Sequence, residues 1–315
     1  MPEDSIILHT GMPVPRALVE RITGWSRPAD VTPNWLAMLP AAAEQMCVRW
    51  QVTLEPRIHE STITLVVPGD SPELGPVILK ASPLADEFRS EVTALQLAAA
   101  SNVARVYDAD LVRGVVLMER IVPGTQLRHV PLSDDEATRL GAASVMSMWR
   151  PVPQPGGLHP LRRWMRDLFR WTAAPDLIPT ELVDLAQDVA RSLLDTAPAP
   201  RLLHGDFQHQ NLLQRTTGDW AIIDPKGLVG DPGFDIAAWM YNPIGILANR
   251  DYAAIARRRI AIWSDVTGLD RHRLAAWAFS GTVLSICWSA EGLGTRPSWM
   301  EHAVRAINDL RRLLD

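Results

Sequence analysis

Short apolar runs with strand periodicity fill the first part of the chain. They predict strands at 51–58, 62–67, 76–81, 104–111 and 114–118. Helical spacing of apolar residues interrupts them from Thr32 towards Trp50, with an expected break or kink at Pro40, and again over about 84–100. The residues Pro68-Gly69-Asp70 predict a turn between strands. This part of the chain is therefore expected to be a mixed sheet and helix structure.

Beyond about residue 122 the helical period dominates. Helices are predicted at 133–150, 158–172, 179–196, 251–266, 270–291 and 298–314. The exception is 200–240, where loop and short-strand signals appear. We place a boundary at the Pro123-Gly124 turn, which gives a small N-terminal lobe at 1–122 and a larger, mainly helical C-terminal lobe at 123–315. The expected fold class is α+β.

Charge and cysteine content narrow the classes of function. The 315 residues carry 31 basic and 36 acidic side chains, a net charge of -5, which argues against a nucleic-acid partner and suits a cationic substrate. Two cysteines exclude a disulfide framework. The N-terminus lacks the basic flank of a signal peptide, and the uncharged stretch 274–290 is too short for a bilayer span. A cytoplasmic protein without a membrane partner is expected.

Lysine is almost absent from the chain. The 31 basic residues comprise 29 arginines and two lysines, Lys80 and Lys226. Lysine supplies a compact point charge where arginine supplies a planar fork, so both positions become candidates for a specific role. Lys80 ends a predicted strand. Lys226 lies beside Asp224, and its alternative role is a surface pair with Asp231 or Asp235.

The segment Leu202–Asn211, LLHGDFQHQN, concentrates chemistry-bearing residues. Asp206 is followed five residues later by Asn211, and the strand 220–223 ends at Asp224. A carboxylate that accepts the proton of a hydroxyl, beside an amide and a second carboxylate that hold magnesium, is the set that phosphoryl transfer requires. These three residues are therefore expected to lie close together.

The HGDxxxxN pattern followed by IDPKG resembles the aminoglycoside phosphotransferase family of kinase-like enzymes. The longer run IDPKGLVGDPGFDIA is similar to the subgroup of streptomycin 6-phosphotransferases and hydroxyurea kinases. The resemblance implies a two-lobed, protein-kinase-like fold. It also implies that Asp206 is the catalytic base, that Asn211 and Asp224 bind Mg²⁺, and that His204 is structural.

The same resemblance implies a nucleotide site in the first lobe. Lys80 matches the lysine that contacts the nucleotide phosphates, with Glu91 as its partner and Glu87 as the alternative. The stretch from Met118 to Ile121, with Glu119 and Ile121 as its binding residues, matches the connection whose backbone holds adenine. No GxGxxG precedes Lys80, and the matching turn is the one that contains Ser61 and Thr62. Their hydroxyl and backbone groups are expected to hold phosphate.

Acceptor recognition is expected near the C-terminus. Trp288 and Glu291, in the run CWSAEGLG, would offer an aromatic face and a carboxylate to a sugar bearing amino or guanidino groups. Lys226 is expected to stabilise charge on the transferred phosphoryl group. The run Arg257-Arg258-Arg259 is expected on a solvated helix face.

Together these features predict an ATP- and Mg²⁺-dependent kinase of a small hydroxyl-bearing acceptor. A cationic aminoglycoside of the streptomycin type, phosphorylated at the 6-position with antibiotic resistance as the outcome, is the preferred acceptor. The alternatives are another small acceptor, such as hydroxyurea or an amino sugar, and a non-catalytic nucleotide-binding scaffold.

Overall fold

The structure is a computed structural model that describes residues 5–7, 13–24, 31–56, 63–99, 102–152, 156–172, 177–243, 245–290 and 297–314. It divides into two compact units. Unit 1 comprises Met1–Gly124 and Gln214–Ala221, and unit 2 comprises Thr125–Leu213 and Ile222–Asp315. The segment Gln214–Ala221, which the sequence analysis assigned to the second lobe, has its contacts in unit 1.

Up to residue 122 the chain combines strands and three helices: β1 (Ser5–Ile7), β2 (Pro13–Pro15), α1 (Arg16–Thr23), α2 (Trp35–Trp50), β3 (Thr53–Leu54), β4 (Leu65–Ser71), β5 (Gly75–Ala81), α3 (Ala85–Leu97), β6 (Val106–Asp110) and β7 (Val115–Glu119). Five strands form an antiparallel sheet in the order β3-β4-β5-β7-β6. Lys80 lies on the central strand β5, opposite Val66 of β4 and Val116 of β7.

Helix α2 covers the apolar side of this sheet. Trp35, Leu39 and Met46 are buried in one cluster with β4, β5 and β7 residues, as their helical spacing requires. Of the two expectations for Pro40, a break is wrong, because the helix runs unbroken from Trp35 to Trp50, and a kink stays a prediction. Proline removes one backbone hydrogen bond there, and burial of the helix face against the sheet outweighs that loss.

The predicted turn at Pro68-Gly69-Asp70 is also wrong. These residues lie inside β4, and the connection to β5 falls at 72–74. A Cβ atom on Gly69 would lie 2.7 Å from the Thr53 carbonyl oxygen, so glycine allows β3 to approach at this point. Pro68 accepts a hydrogen bond from Glu55 through its carbonyl and needs no N–H for that contact.

From residue 123 on, helices predominate: β8 (Pro123–Gln126), α4 (Asp134–Met146), β9 (His159–Pro160), α5 (Leu161–Trp164), α6 (Arg166–Arg170), α7 (Thr180–Asp195), β10 (Arg201–Leu203), β11 (Leu212–Arg215), β12 (Trp220–Ile222), β13 (Leu228–Gly230), α8 (Ile236–Met240), α9 (Tyr252–Thr267), α10 (Arg271–Ala290) and α11 (Trp299–Arg311). Most bounds lie close to the predicted ones. The expected helix at 158–172 is instead the strand β9 followed by two short helices, because His159 and Pro160 pair with β13.

Helix α10 is the centre of unit 2. Every residue from Ala278 to Leu284 is buried, and α6, α7, α8, α9 and α11 all pack against this helix. Such a helix is apolar on all sides because it meets other elements on all sides. Within the described residues, the structure contains no helix with the length and apolar character needed to cross a bilayer.

Candidate active site

Two neighbouring strands bring the predicted site segments together. β10 and β13 are antiparallel, with Leu203 opposite Leu228. The end of β10 therefore lies beside the start of β13, and the Lys226 N–H donates to the His204 carbonyl at 2.6 Å. The loop that begins at His204 and the segment that ends at Lys226 consequently share one edge of this small sheet.

Gly205 allows the loop to leave β10 at a sharp angle. Its φ is +83°, and a Cβ atom there would lie 2.7 Å from two carbons of Leu228. Both the left-handed backbone and the close side chain exclude larger residues. The glycine in HGD is thus a geometric requirement of the loop.

Asp235 fixes the backbone of the same loop. Its carboxylate accepts the N–H of His204 at 3.1 Å, the N–H of Gly205 at 2.7 Å and the Trp149 indole N–H at 2.9 Å. Asp235 is 1% exposed, and burial raises its pKa to about 6. Asp235 is one of the two alternative partners expected for Lys226, but its carboxylate is occupied by these three donors.

His204 is a neutral, buried side chain. Its Nδ1 accepts the N–H of Asp206 at 3.2 Å, so Nε2 carries the proton and donates to the Ile223 carbonyl at 2.9 Å. Burial lowers the pKa of His204 to about 4. The ring therefore links the loop to the strand end that precedes Asp224.

Asp206 is half-buried at the centre of the loop. The Gln208 amide donates to both of its carboxylate oxygens, at 3.1 and 3.2 Å. Burial raises the pKa of Asp206, nearby Asp224 raises it further, and Lys226 and Gln208 oppose these effects. Sequence reasoning missed Gln208, whose only signal is its place two residues after Asp206.

Asn211 and Asp224 lie beside this carboxylate. The Asn211 amide nitrogen donates to the Asp206 carbonyl at 2.9 Å, which leaves the amide oxygen as its available donor to a metal. The Ile223 N–H donates to the Asn211 carbonyl at 3.0 Å, so Asp224 follows directly from a residue bonded to Asn211. The structure therefore brings 206, 211 and 224 together.

Amide and carboxylate oxygens of this kind suit Mg²⁺. Across the described residues no three His, Cys, Asp or Glu side chains are grouped for metal binding, so this pair cannot form an all-protein cage. Mg²⁺ tolerates such a partial set because it commonly retains water and substrate phosphate oxygens as ligands. The two residues fit a magnesium ion on the chemistry of their donor atoms.

Lys226 is the cation next to these carboxylates. Its Nζ lies 3.5 Å from Asp224, and its charge lowers the pKa of Asp206. Asp231, the other surface partner considered, instead accepts bonds from Arg273 and the Trp277 indole, both at 2.6 Å. Lys226 is thus placed among the acidic residues of the loop.

In unit 1, Lys80 forms a buried ion pair with Glu91. Nζ and Oε1 are 2.5 Å apart, and both residues are 8% exposed. β5 supplies the lysine and α3 the glutamate, which favours Glu91 over Glu87 as its partner. A buried charge pair of this kind fixes the direction of the lysine side chain.

The structure describes only some of the remaining residues predicted to bind the nucleotide. The N–H of Glu119 donates to the Arg105 carbonyl, and its carboxylate binds Arg215 at 2.9 Å. Ile121 is buried. Ser61, Thr62 and the acceptor candidate Glu291 lie outside the described residues.

Trp288 has a partner that the sequence analysis did not identify. Its indole N–H donates to Asp167 at 3.0 Å, and Trp164 meets its ring edge-on at 5.5 Å between centroids. Tyr241, also missed, shares a hydrogen bond with Ser285 and lies close enough to Asp206 for that charge to raise its pKa, although burial is the larger cause. Nothing in the local sequence distinguishes Asp167 or Tyr241 from other aspartate and tyrosine residues.

Comparison with known proteins gives relatives over most of the chain. The streptomycin 6-kinase of Streptomyces glaucescens is 29% identical over 272 residues, covering 82% of this chain and 85% of the relative. The streptomycin 3''-kinase of Klebsiella pneumoniae is 32% identical over 277 residues, covering 85% and 99%. Choline kinase LicA from Streptococcus pneumoniae aligns at a TM-score of 0.58 with 14% identity, over 88% of this chain and 99% of that one.

The structural match confirms the predicted α+β, protein-kinase-like fold class. The sequence match extends to the family itself, whose model covers residues 49–292. On this match and the loop geometry, the chain belongs to the family of aminoglycoside/hydroxyurea antibiotic resistance kinases, phosphotransferases that act on hydroxyl groups of small molecules.

Proposed function

We propose that this chain transfers the γ-phosphoryl group of ATP to a hydroxyl group of a cationic aminoglycoside, with the 6-hydroxyl of streptomycin preferred. The observation that carries the proposal is the grouping of Asp206, Asp224 and Lys226 around one loop. The two streptomycin kinases named above modify different positions of the drug. Our preference for the 6-position rests on the IDPKGLVGDPGFDIA run of the 6-phosphotransferase subgroup.

Asp206 is the proposed catalytic base. As the acceptor oxygen forms its bond to the γ-phosphorus, the hydroxyl proton passes to the Asp206 carboxylate, the bond from phosphorus to the bridging oxygen breaks, and ADP leaves. A raised pKa makes Asp206 a stronger base than an ordinary aspartate. The two hydrogen bonds from Gln208 hold the carboxylate in one orientation.

Charge on the moving phosphoryl group is the proposed target of the cations and the metal ligands. Lys226 supplies a point charge beside the reacting group. Asn211 and Asp224 would hold Mg²⁺, which when bound neutralises phosphate oxygens and lowers the barrier to transfer. Lys80, directed by Glu91, would contact the other phosphates of ATP.

The remaining contacts to the nucleotide are proposed from the pattern of the family. The turn containing Ser61 and Thr62 would contribute backbone and hydroxyl donors to the phosphates. Because the N–H of Glu119 is bonded within unit 1, adenine recognition by this stretch would depend on the carbonyl of Glu119 and the backbone of Ile121. An ATP donor and two free thiols suit a cytoplasmic enzyme, where streptomycin phosphorylation would confer resistance.

An acceptor screen tests the proposed function. Purified protein, ATP and Mg²⁺ are incubated with streptomycin, other aminoglycosides, amino sugars and hydroxyurea, and products are identified by mass, with the streptomycin product mapped by NMR. We expect a phosphorylated streptomycin modified at the 6-position. Product from hydroxyurea alone would establish the neutral-acceptor alternative, and nucleotide binding with no product would establish the scaffold.

Substitution of the base gives the first prediction. Asp206→Asn keeps the size of the side chain but removes the proton acceptor, so kcat should fall by about 10²- to 10⁴-fold while ATP binding persists. Asp265→Asn, an exposed carboxylate paired with Arg271, is the matched control and should keep its activity. Turnover of the Asp206 variant near the wild-type rate would contradict the assigned base.

A further inference from the structure

Helix α8 contacts the catalytic loop at both of its ends. Asp235, directly before α8, accepts the first two N–H groups of the loop. Trp239, near the other end, stacks with the His209 ring at 3.8 Å and with the Phe207 ring at 5.6 Å between centroids. Phe207 directly follows Asp206 in the chain, and His209 lies two residues further on. The position of the Trp239 indole therefore determines where this part of the loop lies.

Side chains bond the carbonyl groups at the end of α8. The last carbonyls of a helix have no partners inside the helix itself. The Asn242 amide donates to the Ala238 carbonyl at 3.0 Å, and Arg259 of α9 donates to the Trp239 carbonyl at 2.5 Å. Arg259 also donates to the Asn242 carbonyl at 2.7 Å. It thus fixes both the backbone of Trp239 and the residue that bonds the neighbouring carbonyl.

The donors of Arg259 are almost all used. The residue is 0% exposed, and its Nε and Nη2 donate to the Asp134 carboxylate at 3.1 and 2.5 Å. Its Nη1 makes the two carbonyl bonds. A guanidinium group carries five N–H donors in one plane, and these bonds use four of them. A lysine ammonium is a point charge and cannot hold a carboxylate and two carbonyls in the same arrangement.

Asp134 is also connected to the ring of the same tryptophan. The Trp239 indole N–H donates to the Thr138 hydroxyl at 3.2 Å, and that hydroxyl donates to the Asp134 carbonyl at 2.6 Å. The backbone of Trp239 is thus linked to Asp134 through Arg259, and its ring is linked to Asp134 through Thr138. A buried network whose members all have partners holds its residues in one arrangement.

We propose that Arg259, paired with Asp134, is a positioning residue of the catalytic site that holds Trp239 and, through Trp239, the loop that carries Asp206. The inference rests on the proposed function for the role of Asp206 as the base, and it does not depend on which acceptor is phosphorylated. A displacement of about 1 Å in a reacting group can lower a rate by about 10²-fold. Because a buried ion pair can also serve stability alone, the experiment must separate the two roles.

The first test compares Arg259→Lys with Arg258→Lys, using the acceptor that the screen identifies. Arg258 lies on the same helix, its side chain is 50% exposed, and it pairs with Asp135 at 3.3 Å, which makes it the matched control. Circular dichroism gives the folded fraction. We expect kcat of folded Arg259→Lys to fall about 10- to 100-fold, its affinity for nucleotide without Mg²⁺ to change less than about threefold, and the control to match wild type. A wild-type kcat in folded Arg259→Lys would overturn the inference.

A double substitution gives a readout that a purely stabilising role would not move. If Arg259 acts by placing Asp206, then Arg259→Lys should lower kcat by a much smaller factor in the Asp206→Asn background, where the base is already absent. Loss of kcat by the same factor in both backgrounds would show that Arg259 does not act through the base.

Thr138→Val is the second variant, and it decides the question if Arg259→Lys does not fold. It removes the hydroxyl that bonds the Trp239 indole and leaves the ion pair between Arg259 and Asp134 in place. We expect a fall in kcat of at least about threefold, again reduced in the Asp206→Asn background. An unchanged kcat in this variant would then overturn the inference.

The position of the loop also has a readout that needs no turnover. The ring current of an indole moves the NMR signals of protons stacked on it upfield, so the signals of the His209 ring report its contact with Trp239. His209→Gln identifies those signals among the eight histidines. Their upfield shift should shrink in Arg259→Lys and persist in Arg258→Lys, and identical shifts in both variants and wild type would overturn the inference. If wild type phosphorylates no acceptor, the proposed function fails, and this comparison still tests whether Arg259 holds the loop.

Discussion

At the scale of single residues, Lys226 acts on Asp206 through its charge. It lowers the pKa of Asp206, and in the proposed reaction it would also stabilise charge on the transferred phosphoryl group. Lys226→Ala should therefore reduce kcat by about 10²-fold, more than it raises the acceptor KM. The acid limb of the pH–rate profile should also move to higher pH, because Asp206 loses the cation that favours its ionised form.

Lys226→Arg is the matched variant for that experiment. It restores the charge without the compact ammonium group, so the acid limb should return towards its wild-type position while kcat recovers only in part. Steady-state kinetics from acid to neutral pH measure both effects. A wild-type kcat in Lys226→Ala would assign the lysine to an ordinary pair with Asp224.

The residues that sequence reasoning identified here share a property. Asp206, Asn211 and Asp224 occur at spacings that are typical of phosphoryl transfer, so one sequence is enough to identify them as candidates. Gln208 and Tyr241 contribute through orientation and proximity, which no spacing records. Tyr241 lies near Asp206 because it follows α8, whose Trp239 stacks on Phe207 of the loop.

At the scale of elements, an aromatic cluster supports the catalytic loop. Phe207 and His209 both stack on Trp239, with centroid distances of 5.6 and 3.8 Å. Gly141 of α4 makes room for Trp239, since a Cβ atom there would lie 2.3 Å from the indole. The position of the loop thus depends on α4 and α8 as well as on β10.

His209 makes this support sensitive to pH. Burial lowers its pKa to about 3 in the folded protein, against about 6.5 in an unfolded chain. The unfolded state therefore binds a proton first, and the stability that His209 contributes above pH 6.5 is lost as the pH falls towards 3. Between about pH 7.5 and 5, His209→Phe should lose about 2 kcal/mol less free energy of unfolding than wild type.

Urea denaturation at the two pH values measures that difference. His204 and Asp235 titrate in both proteins, so their contributions cancel in the comparison. His209→Gln, which lacks the ring but also does not titrate, should show the same reduced pH dependence even if it is less stable overall. An identical loss in wild type and both variants would mean that His209 is not the titrating group.

Helix positions were predictable from sequence because apolar spacing records which face is buried. The environment of the charged residues was not predictable in this way. The run at 257–259 was expected on a solvated face, yet Arg259 is 0% exposed, bonded to Asp134 of α4 and to the Trp239 and Asn242 carbonyls. That role requires Asp134, which is 125 residues away, and two carbonyls 20 and 17 residues away, none of which the local pattern of α9 contains.

At the scale of the whole molecule, the net charge of -5 bears on the acceptor. An acidic protein attracts a cationic substrate over distances that salt screens. At saturating ATP, kcat/KM for streptomycin should fall by about 3- to 10-fold between roughly 20 and 300 mM NaCl. A neutral acceptor should show a much smaller change, and equal salt dependence of both would exclude charge-based selection.

The fold class followed from sequence because strand and helix patterns separate along the chain and the site motifs occur in kinase-like order. The division into units was harder to predict from the sequence. Gln214–Ala221 has its contacts in unit 1 although helical and loop segments of unit 2 flank it. Such long-range contacts depend on pairing between distant segments. Hydrophobic periodicity is a local property and does not show which segments pair.

The backbone at Asp224 restricts which mutations can be interpreted. Its φ of +60° is disfavoured for most side chains and tolerated by glycine, asparagine and aspartate. Alanine or valine at this position would strain the main chain as well as delete the carboxylate, so a loss of kinase activity would have two causes. In a mutational scan read by kinase activity, only the glycine and asparagine variants would separate the proposed metal binding from misfolding.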